Sequence, residues 1–128
     1  MEVLLDTNVC IDLLRGRARG RRLPRAAACG LSTVVVAELW VGAAKAAAPA
    51  TQREAVQAFI DLFPRLAFDD EAARHYGDIR AQLEARGTPI GPLDLLIAAH
   101  ARSLGATLLT ANLAEFRRVP GLQCAAWG

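Results

Sequence analysis

Short hydrophobic runs and longer segments with helical spacing alternate along the chain. The short runs predict strands at Glu2–Leu5, around Gly30–Ser32, at Arg65–Phe68, at Thr107–Thr110 and at Leu122–Ala125. Helical spacing and capping residues predict helices from Thr7 or Asn8 to Leu14, from Ser32 or Thr33 to Ala44, over Thr51–Phe63, from Asp69 or Asp70 to Gly87, around Asp94 to Gly105, and as a short turn from Asn112 to Phe116. This order predicts an α/β fold: an α/β/α sandwich with a mainly parallel central sheet.

Three acidic residues interrupt hydrophobic segments. Asp6 follows Val3–Leu5, Glu38 lies within Val34–Leu39, and Asp94 lies within Pro92–Ile97. An ionised carboxylate is costly to bury unless it is paired or holds a metal ion. Because all three acids have aliphatic neighbours, one shared divalent cation with oxygen ligands is the simplest explanation.

The predicted topology can bring these acids together. Ligands of open α/β sheets bind beyond the carboxyl ends of the strands, where Asp6 and Asn112 lie. Asp94 is placed in the first turn of its helix, and Glu38 has to reach across from another helix. The four side chains share one crevice if the strands before Asp6 and Asn112 are neighbours.

Carboxylates that converge in this way need a compensating charge. Two of them about 4 Å apart repel by about 4 kcal/mol at an effective dielectric near 20. Mg²⁺ or Mn²⁺ would relieve this repulsion and can act on phosphate oxygens. Each acid also has a plain structural interpretation: Asp6 as a helix cap, Glu38 as the partner of an arginine, and Asp94 as a helix-start acid. Asp12 is interpreted as solvated, and His100 as a core or surface residue rather than a ligand.

Composition limits the class of protein. The chain has 128 residues, which fits one domain over 1–128, and 53% of them are hydrophobic. Its apolar runs are far shorter than the roughly 20 residues of a membrane span, and its start does not resemble a signal peptide, so we expect a cytoplasmic protein that does not bind membranes. Its three cysteines, Cys10, Cys29 and Cys124, lack zinc-site spacing and are expected to be small buried hydrophobic residues.

The net charge is only +2, but basic residues are concentrated in one segment. This segment carries six arginines and no acid: Arg15, Arg17, Arg19, Arg21, Arg22 and Arg25. Arginine forks fit phosphate oxygens well, and clustered basic residues are typical of nucleic-acid binding. The segment is therefore either an RNA-binding surface or a solvated charged loop.

Several motifs together resemble those of a known family, the PIN-domain ribonucleases, and specifically the VapC-type toxins of bacterial toxin–antitoxin pairs. The resemblance covers nearly the whole chain in the expected order. The matching stretches are Leu4–Asn8, Val36–Gly42, Gly87–Ala101 and Leu108–Phe116, followed by Val119–Leu122. The stretch Gly87–Ala101 is the most specific of them.

The resemblance implies a metal-dependent endoribonuclease. Asp6, Glu38 and Asp94 would be the catalytic acids and would hold Mg²⁺ or Mn²⁺, with Asn112 as a further candidate ligand. Glu115 is the alternative for this fourth position, although the short turn is expected to point it to solvent. Thr7, Thr110 and Asn112 would assist. It also implies a homodimer, an RNA substrate and a cognate antitoxin that neutralises the enzyme.

Two other functions remain open at this stage. A haloacid-dehalogenase-type phosphatase also begins with a strand that ends in Asp, but it normally has a second Asp where this chain has Asn8. A catalytically weak or inactive PIN-like module that binds RNA or protein is suggested by Asn112, since the family often has an acid there.

Overall fold

A computed structural model describes residues 2–25 and 28–128, so Met1, Ala26 and Ala27 of the expected 1–128 domain lie outside the described residues. The strands are β1 Val3–Leu5, β2 Cys29–Ser32, β3 Arg65–Leu66, β4 Thr107–Thr110 and β5 Gln123–Ala126. The helices are α1 Thr7–Leu14, α2 Thr33–Ala44, α3 Pro49–Ile60, α4 Asp70–Ala85, α5 Pro92–Leu104 and α6 Leu113–Phe116.

The five strands form one sheet in the order β3-β2-β1-β4-β5. All four strand pairs are parallel, which confirms the predicted α/β class with its parallel sheet flanked by helices. The central strands carry Leu4, Leu5, Leu31 and Leu108, each at most 1% exposed. Continuous apolar strands of this kind are typical of a sheet that is covered on both faces.

Strands β1 and β4 are neighbours, as the convergence of the acids requires. Leu5 pairs with Leu109, and the Asp6 amide donates to the Leu109 carbonyl over 2.9 Å. The carboxyl ends of these two strands therefore meet at one edge of the sheet. Asp6 and the residues after Thr110 leave the sheet side by side at this edge.

Most element boundaries differ from the predicted ones by a few residues. Helix α3 begins at Pro49 rather than Thr51 and ends at Ile60 rather than Phe63. Proline is well suited to the first turn of a helix because its missing N–H has no partner there. Strand β3 has only two residues, Arg65–Leu66, where the pattern predicted a strand to Phe68.

The cap of α1 also differs from the prediction. Asp6, rather than Thr7 or Asn8, is the N-cap, and its side chain accepts a hydrogen bond from the Thr7 amide. The same aspartate therefore ends β1 and begins α1. Helix α2 is capped by Ser32, one of the two predicted residues.

Candidate active site

Asp6 is a buried residue of the site, and three hydrogen bonds hold its carboxylate. One carboxylate oxygen accepts from the Thr7 amide (2.8 Å), and the other accepts from Thr110 Oγ1 (2.7 Å) and Asn8 Nδ2 (3.1 Å). The side chain is almost inaccessible, and this burial raises the pKa of Asp6. The three hydrogen bonds oppose that rise because they favour the ionised form, whereas the charge of Glu115 adds to it.

Glu38 is connected to Asp6 through Thr7. Helix α2 presents Glu38 half-buried, and its Oε1 accepts a hydrogen bond from Thr7 Oγ1 over 2.9 Å. The Thr7 amide contacts one acid while its hydroxyl contacts the other. The two predicted supporting threonines, Thr7 and Thr110, thus each contact a predicted acid.

Asp94 occupies the first turn of α5 and lies beside a fourth acid, Glu115. Burial, a hydrogen bond to Glu115 and the charges of Glu115, Asp6 and Glu38 raise the pKa of Asp94 to about 7. The four carboxylates therefore influence one another electrostatically. A strongly raised acid among like charges is typical of a functional site.

The prediction that Glu115 points to solvent is wrong. Its Oε1 accepts from the Gly91 amide (3.1 Å) and its Oε2 accepts from Asn112 Nδ2 (2.6 Å). Phe116 is fully buried, which fixes the rotation of the short helix α6. With Phe116 anchored, Glu115 faces the start of α5, and Asn112 orients it there.

Asn8 is a site residue that the sequence reasoning missed. Its Nδ2 donates to Asp6, and its Oδ1 accepts from the Ala111 amide over 3.1 Å. This side chain joins the start of α1 to the segment after β4. The only signal in the sequence was its place two residues after Asp6.

The acids lie near one another, but within the described residues they are not arranged as a complete set of metal ligands. Among residues 2–25 and 28–128, no three Asp, Glu, His or Cys side chains stand close enough to make a complete ligand group. All four acids offer carboxylate oxygens, and Asn112 and the threonines add neutral oxygens. This donor set suits hard cations, since Mg²⁺ needs only one or two protein carboxylates and keeps several waters.

A buried hydrogen bond joins the two helices that carry Glu38 and Asp94. His100 of α5 is 1% exposed, and its Nδ1 lies 2.8 Å from Oγ of Ser32, the N-cap of α2. Burial lowers the pKa of His100, so the neutral imidazole is favoured. His100 is therefore a core residue, one of the two locations expected for it.

The six arginines do not converge on the acids. Arg15 lines a cleft of about 340 Å³ with Glu38, whereas Arg21 is engaged by Asp12. The interpretation of Asp12 as merely solvated is wrong, because its Oδ2 accepts from both Arg21 Nη2 (3.3 Å) and Trp127 Nε1 (3.0 Å). Cys10 and Cys29 are buried as expected, and Cys124 is half-buried.

None of the helices described is both long and apolar enough to cross a bilayer.

A parallel sheet with acids gathered at the carboxyl edge of its central strands, including Asp6 and Asp94, matches a known class of domain. Residues 3–122 match the family model of the PIN domain, and the chain belongs to this family.

Within the family, the chain is similar to VapC proteins along its whole length. It is 39% identical to the tRNA(fMet)-specific endonuclease VapC of Salmonella typhimurium and 35% identical to Ribonuclease VapC2 of Haemophilus influenzae, in each case over 99% of this chain and 98% of the relative. The predicted resemblance to VapC-type PIN ribonucleases is confirmed.

Solved structures show the same likeness. The chain matches a DNA-bound VapBC from Salmonella typhimurium with a TM-score of 0.90 and 36% identity, over 100% of this chain and 99% of the other. It matches VapBC2 from Rickettsia felis, bound to a promoter DNA fragment, with a TM-score of 0.88 and 29% identity over 100% of both chains.

Proposed function

We propose that this protein is a metal-dependent endoribonuclease that acts as a toxin and is neutralised by a cognate antitoxin. The observation that carries the proposal is the set of four neighbouring acids at the carboxyl edge of a PIN-family sheet. The names of the VapC relatives support RNA as the substrate, and the VapBC complexes support an antitoxin as the partner.

The acids fit Mg²⁺ or Mn²⁺. One or two of Asp6, Glu38 and Asp94 would bind the ion directly and the others through its bound waters, and Glu115 would supply the fourth carboxylate that the family pattern suggested at Asn112. The pKa of Asp94, raised to about 7, supports this assignment because a cation would offset the like charges around it. A bound ion would polarise the phosphoryl group, lower the pKa of a bound water and stabilise the leaving oxygen.

The chain's own residues hold the acids in place for this chemistry. Thr7, Asn8 and Thr110 fix both oxygens of Asp6, and the Thr7 hydroxyl also orients Glu38. Asp94 lies beside Glu115, and burial together with the neighbouring charges raises the pKa of Asp94 to about 7, so without a cation its carboxyl is partly protonated near neutral pH.

The RNA target follows from the relatives by analogy. The relatives from Salmonella typhimurium and Shigella flexneri, 39% and 37% identical, are both named tRNA(fMet)-specific endonucleases. We therefore propose tRNA(fMet) as the first substrate to test for this chain.

We also propose that the protein forms a homodimer and binds its antitoxin through apolar surface near the site. Val41, Leu62 and Leu93 are large apolar residues that are 46–73% exposed. Leu93 directly precedes Asp94, so a partner that covers it would also restrict access to the acids.

The two alternative functions have less support. Because the chain belongs to the PIN family, a ribonuclease is favoured over a haloacid-dehalogenase-type phosphatase. At the position where such a phosphatase has its second Asp, this chain has Asn8, which is a hydrogen-bond partner of Asp6. The inactive binding module was suggested by the missing acid at position 112, and Glu115 provides an acid beside that position.

A substrate panel tests the proposal. The purified protein would be incubated with Mg²⁺ and either tRNA(fMet), elongator tRNAs, single-stranded DNA or a small phosphomonoester. We expect endonucleolytic cleavage of RNA only, with tRNA(fMet) preferred. Phosphate release from the monoester alone would favour a phosphatase, and RNA binding without cleavage would favour the inactive module.

A further inference from the structure

The arginine-rich loop after α1 is folded back on itself. Gly16, Arg19 and Gly20 have positive φ angles of 64°, 53° and 80°. Three left-handed residues within five positions turn the chain sharply. Glycine adopts this conformation without strain, whereas Arg19 needs surrounding interactions that hold it. Arg21 provides these interactions.

The Arg21 guanidinium is occupied by partners within the chain. Its Nε donates to the Ala18 carbonyl (2.8 Å), and its Nη2 donates to the Arg17 carbonyl (2.9 Å) and to Asp12 Oδ2 (3.3 Å). Its central carbon also lies 5.1 Å from the ring centroid of Trp127, within cation–π range. These contacts tie the loop to α1 and to the end of β5.

Trp127 completes this anchor. Its indole is 5% exposed, and its Nε1 donates to the same Asp12 oxygen that accepts from Arg21. The Trp127 amide donates to the Thr110 carbonyl over 2.8 Å. The loop is therefore held in one conformation by the sheet edge that also carries the acids.

The other five arginines of the loop remain available. All are exposed, and none forms an ion pair within residues 2–25 and 28–128. They are Arg15, Arg17, Arg19, Arg22 and Arg25. Five exposed like charges on one short loop create a local positive potential that attracts an anionic partner.

The cleft between α1, α2 and α3 joins the first arginine of the loop, Arg15, to one of the acids, Glu38. Glu38 lines it together with Arg15 and Lys45, the only lysine of the chain. Helix α1 has eight residues, which corresponds to about 12 Å between Asp6 and the start of the loop. A nucleic-acid strand cleaved at the acids can therefore reach the loop within a few nucleotides.

We propose that Arg15, Arg17, Arg19, Arg22 and Arg25 form a preorganised surface that binds RNA backbone phosphates beside the cleavage position, with Arg21 as its internal anchor. The proposal rests on the proposed ribonuclease function. Planar guanidinium forks suit phosphate oxygens, and a loop that is already ordered loses little conformational entropy when RNA binds.

The test measures binding of a short labelled oligouridylate in EDTA, where the proposed metal-dependent cleavage cannot interfere. Affinity would be followed between about 50 and 200 mM salt for wild type and for the triple variant Arg17→Gln, Arg19→Gln and Arg22→Gln. We expect the log–log salt slope to flatten by about 2, since each lost phosphate contact is worth about 0.7 for single strands.

A matched triple variant, Arg53→Gln, Arg74→Gln and Arg86→Gln, removes three exposed arginines from α3, α4 and the end of α4. Its slope should equal that of wild type. Equal flattening in both triple variants, or no flattening in the loop variant, would overturn the proposal. So would a loop variant that keeps its RNA slope but no longer binds the antitoxin, since the surface would then belong to that protein.

Cleavage is scored separately, so the two proposals fail in different ways. If wild type binds RNA through the loop but never cleaves it, the ribonuclease function fails and the arginine surface stands. If wild type cleaves RNA and its loop variant binds with an unchanged slope, the arginine surface fails alone.

Discussion

Asp94 and Glu115 lie side by side in the candidate site, but only Asp94 was conspicuous in the sequence. Asp94 stood out in the sequence because it interrupts an apolar helix, whereas Glu115 lies in a short polar turn without such a signal. Their contact depends on α5 and α6 meeting at Gly91 and Asn112, which no local pattern encodes. The sequence could therefore offer Glu115 only as an alternative to Asn112, whereas Asp6, Glu38 and Asp94 stood out as candidates.

The raised pKa of Asp94 predicts a pH dependence of stability in the metal-free protein. A free Asp titrates near 3.9, and here the pKa is about 7, so between these values the folded state binds more protons at this site than the unfolded chain does. The contribution of Asp94 is then fully present below about pH 4 and is lost as the pH rises towards 7.

Thermal midpoints of wild type and Asp94→Asn in EDTA would check this. The variant should gain stability relative to wild type as the pH rises from about 4 to about 8, because it lacks the repelled charge. Using the difference between the two proteins cancels other groups such as Asp78, whose pKa is lowered by Arg102. A difference that does not change with pH would contradict the assignment.

The position of the fourth acid predicts opposite effects for two neighbouring substitutions. Glu115→Gln removes a carboxylate beside Asp94 and should weaken Mg²⁺ binding by about 10–100-fold, as losses of supporting ligands commonly do. Asn112→Asp adds a carboxylate next to Glu115 and should tighten it.

Calorimetric titration of Mg²⁺ into the two variants and wild type would measure both effects. Arg118→Gln, an exposed change just after α6, is a control that should behave as wild type. If Asn112→Asp weakens binding while Glu115→Gln changes nothing, Glu115 is not part of the metal site.

At the scale of elements, the hydrophobic pattern predicted every helix and strand. The errors were at the ends of the elements, where more than one residue can act as the helix cap. Asp6 is the N-cap of α1 because it follows β1 in an extended conformation. The neighbouring positions of β1 and β4, on which the site depends, could not be read from periodicity and came only from the sheet.

The bond between Ser32 and His100 connects two of these elements, and its loss should be measurable. Ser32→Ala removes the cap of α2 and leaves the buried His100 nitrogen without a partner. We expect a loss of about 1–3 kcal/mol in the free energy of unfolding.

Urea denaturation would measure this loss. Ser103→Ala is the matched control: its hydroxyl contacts only the His100 carbonyl of its own helix, and its removal should cost less than about 0.5 kcal/mol. Equal losses in the two variants would show that the Ser32–His100 hydrogen bond stabilises the fold no more than a hydrogen bond within one helix.

At the scale of the whole molecule, contacts between distant parts of the chain involve residues whose interactions the sequence did not predict. Asp12 and Arg21 lie near each other in the sequence and Trp127 lies more than a hundred residues further on, yet the three form one cluster that holds the arginine segment in a folded loop. The family resemblance predicted the candidate site from motifs that lie in the right order, yet the order of strands that brings these residues together is a property of the complete fold.

The central claim is that these acids make a metal-dependent ribonuclease, and a metal titration of single-turnover RNA cleavage tests it most directly. Wild type, Asp94→Asn and the exposed control Arg86→Gln would be stripped with EDTA and then given Mg²⁺ in steps. We expect no cleavage in EDTA, and recovery with Mg²⁺ in wild type and Arg86→Gln. Asp94→Asn should be slower by about 100-fold or more, the usual loss when a group that stabilises the transition-state charge is removed. Undiminished cleavage by wild type in EDTA, or a near-normal rate in Asp94→Asn, would contradict the account.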